Sequence, residues 1–82
     1  MLESVGVAIA DIYVPVRLRE TLDQQKVAAL AESILENGQQ VPIRVRQDKG
    51  RYVLVTGLHR LEALRALGEE TVDALIVHAS RP

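Results

Sequence analysis

The chain has 82 residues, enough for one hydrophobic core and too few for two, and its 48% hydrophobic and 26% charged content is that of a globular rather than a disordered protein. Ten basic against eleven acidic side chains give a net charge of −1, which removes any bulk attraction to nucleic acid or anionic membrane. With no cysteine and two histidines, disulfides, thiol catalysis, iron–sulfur clusters and Cys-based zinc sites are excluded and a protein-held structural metal is not expected; Tyr13 and Tyr52 are too few for a base-stacking platform.

In chain order, Val5-Gly6-Val7-Ala8-Ile9 alternates as a short strand, and Asp11-Ile12-Tyr13-Val14-Pro15 reads as its exit. Residues 16–21 have neither helical nor strand period and read as a loop carrying Arg17 and Arg19. Asp23 is a good N-cap, after which Val27, Leu30, Ile34 and Leu35 fall at helical spacing. Gly38 follows as a C-terminal cap, so a helix is expected over about 24–36. Val41, Ile43 and Val45 alternate with Pro42, Arg44 and Arg46 in a strand whose proline marks its start or an edge. A turn at 47–50 and an apolar strand at 52–55 complete a hairpin. Leu58, Leu61, Leu64 and Leu67 give a second helix, capped by Gly68, and a last strand is expected over 71–77. The result is an α/β (α+β) fold: one small domain over 1–82, core about 5–78, with two principal helices on a mixed β-sheet.

Chemistry concentrates where the second of these helices begins. The apolar strand ends in Thr56-Gly57, and the helix opens at once with Leu58-His59-Arg60. A helix N-terminus offers unpaired N–H groups and partial positive charge, hence a place for an anion. Gly57 lacks a side chain that would block a close ligand, Thr56 supplies a hydroxyl, and Arg60 a planar fork suited to phosphate. Lys26, in the first turn of the other helix, sits where the helix dipole disfavours a cation, and Arg17 and Arg19 lie in the loop before it. The plainer readings are a packing requirement at Gly57, a surface His59, and an Arg60 held by Glu62 or Glu32. Arg65 and Glu69 are spaced for an exposed ion pair.

These segments resemble the ParB N-terminal and sulfiredoxin superfamily. The likeness runs through 22–34, Gly38, Val41-Pro42-Ile43-Arg44-Val45 and Gly57-Leu58-His59-Arg60-Leu61-Glu62-Ala63, in the right order over about residues 7–78. In sulfiredoxins the helix-start motif reads Gly-Cys-His-Arg, and in ParB partition proteins Gly-Glu-Arg-Arg. The resemblance implies a nucleotide-phosphate site, for ATP or CTP with or without magnesium, formed by Gly57, His59 and Arg60. Lys26 and Ser33 match sulfiredoxin positions that line the nucleotide, while Ala29 replaces a polar residue there. Arg19 resembles the arginine of the ParB Pro-Arg motif, with Leu18 where its proline would be. Leu58 stands at the sulfiredoxin cysteine, and an aliphatic side chain cannot reduce a sulfinic acid.

Three functions compete at this level. The first is a nucleotide-binding regulatory or DNA-partition-associated module, cytoplasmic, with no membrane segment, working through a protein partner or as a homodimer and touching DNA weakly or through that partner. The downstream motifs and DNA-binding and dimerisation domains of full ParB proteins are not in these 82 residues. The second is a phosphotransferase, NTPase or nuclease-like enzyme with His59 as base and Glu32, Glu36 or Glu62 as acid, Glu62 being placed to orient His59. The third is a nucleotide-free interaction domain using Arg44, Arg46 and Arg51, which strand alternation puts on one face of the hairpin.

Overall fold

A computed structural model of the chain describes residues 3–39 and 41–78; positions 1–2, 40 and 79–82 of the expected 1–82 span lie outside them. The elements are β1 (Ser4–Ala8), a 3-10 turn (Ile9–Asp11), β2 (Ile12–Tyr13), α1 (Val16–Arg19), α2 (Gln24–Asn37), β3 (Ile43–Asp48), β4 (Arg51–Thr56), α3 (Leu58–Ala66) and β5 (Thr71–Ile76).

Three features correct the reading from sequence, the first being that Ile12 and Tyr13, read as the exit from the first strand, form β2 in parallel with β4. Residues 16–19 form one helical turn, α1, where a loop was expected. Its bonds start at the Pro15 carbonyl, which accepts from the N–H groups of Leu18 (3.0 Å) and Arg19 (3.2 Å). One turn is too short for an apolar period to register. The hairpin turn is also tighter than the expected 47–50, because Gln47 and Asp48 pair with Tyr52 and Arg51. Only Lys49 and Gly50 remain, both at positive φ (52° and 82°), the backbone of a two-residue turn whose twist matches its strands.

The sheet is mixed, with strand order β1-β5-β3-β4-β2. The pairs β1/β5 and β3/β4 are antiparallel, whereas β3/β5 and β2/β4 are parallel. Strand β3 is thus central, and Pro42 lies just before it, where its missing N–H removes no ladder bond. A register shift between Arg44 and Val45 leaves Val55 as an extra residue in β4.

Alternation sorts the strand side chains. Val7, Ile43, Val45, Leu54, Val72 and Ala74 join Val27, Ile34, Leu58, Leu61 and Leu64 in one core between the sheet and the helices. Leu61, Ala63, Val45 and Ala74 are fully buried. The opposite face carries Arg44, Arg46 and Arg51, as the strand pattern predicts. Val53, opposite Arg46, is 3% exposed yet stands apart from the main core.

The caps behave as their residue types require. The Asp23 carboxylate accepts from the N–H groups of Gln25 (2.9 Å) and Lys26 (3.4 Å), starting α2. Gly38 (φ 77°) ends α2, and Gly68 (φ 81°) ends α3, where its N–H and that of Glu69 donate to the Arg65 and Leu64 carbonyls. Beyond Gly38, the side chain of Gln39 takes the place of a strand residue. Its Nε2 donates to the carbonyls of Val41 and Asp73, and its Oε1 accepts from the Asp73 N–H, each at 3.0 Å. A primary amide has the donor and acceptor of a peptide group, so it satisfies β5 where β3 has not yet begun.

Candidate functional site

The connection from β4 into α3 is fixed by Gly57. Its φ of 106° and ψ of 27° suit glycine, and a Cβ there would sit 2.7 Å from Ile43 Cγ2 and 2.9 Å from Ile43 Cβ. Close approach to Ile43 at the start of β3 is sufficient reason for this glycine, the packing requirement weighed from sequence beside ligand clearance. Gly57 also brings no capping side chain. The first intrahelical bond runs from the Leu61 N–H to the Gly57 carbonyl, at 2.9 Å, so the N–H groups ahead of it are left for another acceptor.

His59 is the link between helices. Its Nε2 accepts from the backbone N–H of Asp23 at 3.0 Å. An imidazole accepting at Nε2 carries its proton on Nδ1, and no partner for Nδ1 occurs among the described residues. Asp23 thus does two things: its carboxylate caps α2 and its peptide N–H orients the ring on α3. The capping role was legible from the residue type. The ring contact, 36 positions away in the chain, carried no sequence signal.

Lys26, Ala29, Leu30, Ser33 and His59 line a shallow, open depression of about 370 Å³ where the two helices meet. Three of the predicted residues, Lys26, Ser33 and His59, are therefore brought together. Arg60 is half-buried beside them in sequence, and its Nε is buried with no hydrogen-bond partner. A buried guanidinium donor without an acceptor is costly and uncommon. Neither Glu62 nor Glu32 holds it, contrary to the plainer expectation. Leu58 is 7% exposed in the core, leaving only its backbone for a ligand. Thr56 is exposed at the end of β4, opposite Arg44.

The remaining predicted residues lie elsewhere. Arg19 donates from Nε to the Val14 carbonyl at 2.9 Å and stacks over the Tyr13 ring at 5.5 Å, with Arg51 also over that ring at 4.2 Å. Such stacks contribute roughly 0.5–1 kcal/mol each at exposed positions. Arg17 lines a separate groove with Arg46 and His78. Glu62 pairs with Arg65 at 3.4 Å, so the ion pair expected between Arg65 and Glu69 is replaced by one a turn earlier. That carboxylate lines a cavity with Tyr13, Arg19 and Leu58 rather than the depression reached by His59. Among the described residues no cluster of metal-ligating side chains occurs, and no helix is long and apolar enough to cross a membrane.

The ParB N-terminal domain family matches the chain over residues 3–82. The chain belongs to this family. A nucleoid occlusion protein of Halalkalibacterium halodurans is 38% identical over 58 residues, covering 71% of this chain and 20% of that protein. The ParB-domain chain thus spans about a fifth of the length of that relative. Among solved structures, sulfiredoxin from Arabidopsis thaliana superposes with a TM-score of 0.83 at 36% identity, over 93% of this chain and 85% of that one. The C-terminally truncated chromosome-partitioning protein ParB from Caulobacter crescentus, complexed with CTP-gamma-S, gives a TM-score of 0.79 at 28% identity, over 94% and 45% of the respective chains. The mixed sheet with its helices on one face is accordingly the ParB and sulfiredoxin fold.

Proposed function

We propose that this ParB-family domain binds the phosphates of a nucleotide, ATP or CTP, at the junction of α2 and α3. The observation that carries the reading is the buried, partnerless Nε of Arg60 in the first turn of an uncapped helix, one residue after His59, which lines an open depression with Lys26 and Ser33. The N–H groups of the helix start and the Arg60 Nε lack a protein acceptor, which suits a phosphate. Similarity to a ParB that binds a CTP analogue supports the class of ligand.

In this reading each residue has a distinct task. Arg60 supplies charge and a fork of donors. The N–H groups at the start of α3 supply a preorganised anion cradle, with Gly57 setting their direction and Leu58 contributing backbone alone. His59, held by Asp23, offers its Nδ1–H, and Lys26 adds a mobile cation. Ser33 offers a hydroxyl, while Ala29 and Leu30 give the depression an apolar wall. Magnesium, if it accompanies the nucleotide, is carried by the phosphates. The domain then serves as a cytoplasmic regulatory or partition-associated component, acting on DNA through a protein partner or another part of its chain.

Isothermal titration with ATP and CTP, each with and without magnesium, tests the reading. Arg60→Ala is expected to weaken binding by about 1.5–3 kcal/mol, the range for hydrogen bonds to charged groups. Absence of binding at millimolar nucleotide would refute the site. The catalytic alternative draws no support from Glu62, which pairs with Arg65 and is not bonded to His59.

A further inference from the structure

The helices cover one side of the sheet, and the other side carries a second feature that the nucleotide reading does not use. A groove of about 270 Å³ crosses it, lined by Pro15, Arg17, Arg46, Val53, Val55 and His78 among others. The strand order explains its course: Pro15 follows the edge strand β2, Val53 and Val55 lie on β4, Arg46 on central β3, and Val77 beyond β5 completes the far wall. Its lining is basic and aliphatic, without a carboxylate. Arg44, one pleat from Arg46, points to the same side. Among the described residues neither Arg17, Arg44 nor Arg46 has an ion-pair partner; Arg51, farther along, has Asp48 at 4.0 Å. A molecule of net charge −1 thus concentrates unpaired arginines over an aliphatic floor.

We propose that this groove docks an extended acidic segment of a partner protein that carries an aliphatic anchor residue. Charge complementarity selects the acidic character, since arginine forks match carboxylates bidentately. The apolar floor selects a peptide over a nucleic acid. Phosphates gain nothing from valine and proline, and the one nearby aromatic ring, Tyr13, is already covered by two guanidinium groups and cannot stack a base. The alternating valines and arginines suit a strand-like ligand whose own side chains alternate between carboxylate and aliphatic.

Fluorescence anisotropy of the full chain with a labelled heptapeptide of alternating glutamate and valine tests this. Binding is expected, weakened by about tenfold or more by Arg46→Glu, and by a smaller factor by the milder Arg46→Gln, as loss of a charge-assisted contact requires. A serine-for-valine peptide should bind several-fold more weakly, and amide shifts on titration should centre on Val53, Val55 and Val77 rather than on Lys26 and His59. No binding at millimolar peptide, equal affinity for the valine and serine peptides, or shifts confined to the helical side would each overturn the proposal. So would tighter, Arg46-dependent retention of a DNA duplex. Nucleotide titration of Arg46→Glu keeps the two sites separate, because its affinity should be unchanged.

Discussion

Replacing Gly57 by alanine isolates what holds the strand-to-helix junction, and Gly68 provides the control. Both glycines have positive φ, 106° and 81°. A Cβ on Gly68 would meet nothing within 4 Å, so Gly68→Ala incurs the backbone cost alone, about 1–2 kcal/mol. At Gly57 the same methyl would lie 2.7 Å from Ile43 Cγ2 and 3.2 Å from Ile43 Cα. Ile43 is 1% exposed in the central strand and has no space to retreat into. Overpacking of this kind adds about 1–3 kcal/mol, giving about 2–5 kcal/mol for Gly57→Ala. Urea unfolding of the two variants measures the difference. With a slope near 1 kcal/mol/M for so small a chain, the midpoint of Gly57→Ala should fall about 1–3 M below that of Gly68→Ala. Equal midpoints would mean that Ile43 yields freely and that close packing is not why glycine stands at position 57.

Three further outcomes follow from contacts of a single side chain. Gln39→Ala should destabilise the fold by about 1–2 kcal/mol, and the Asp73 amide, having lost its acceptor, should exchange with solvent faster than in the parent; unchanged exchange would refute the peptide-like role. Asp23→Ala should cost about 1 kcal/mol through loss of the α2 cap while leaving the His59 ring contact, which is made by backbone, in place. Nitrogen-15 spectra of the His59 ring would check this: Nε2 should keep the signature of an acceptor, and a switch of tautomer would contradict it. Tyr13→Leu should cost about 1–2 kcal/mol from its two cation–π stacks, read by thermal unfolding, and a neutral result would show the stacks to add nothing beyond the Arg19–Val14 hydrogen bond and the Arg51–Asp48 pair.

What could be read from the sequence was whatever a residue type decides locally. Asp23 as a cap, Gly38 and Gly68 as helix ends, and the two alternating strands of the hairpin all follow from side-chain chemistry within a few positions. Lys26, Ser33 and His59, grouped through family resemblance, line one depression in the structure. What escaped was either very short or very distant. One-turn α1 and two-residue β2 are below the length at which periodicity speaks, and β2 exists only because β4 offers an edge beside it. The Gln39 to Asp73 and Asp23 to His59 bonds join residues 34 and 36 positions apart, where neither partner announces the other. Arg17 shows the same limit in reverse: adjacency to Arg19 suggested a shared task, whereas one turn of helix sends the two to different grooves.

The Gln39 amide also makes α2 a lever. Just past its C-terminal end, Gln39 is tied by two hydrogen bonds to Asp73 in β5 and by one to Val41 ahead of β3, whereas at its N-terminal end the buried Val27 packs in the core and Asp23 makes one hydrogen bond to His59 of α3. From Gln39 to Lys26 the arm is about 20 Å at ~1.5 Å per residue. A tilt of roughly 5° about the anchored end therefore carries Lys26 by about 1.7 Å, enough on this rise-per-residue geometry to open or close a hydrogen bond in the depression it borders. Backbone order parameters that decline from Asn37 toward Gln24 would display the pivot; a uniform profile would show the helix to be pinned along its whole length.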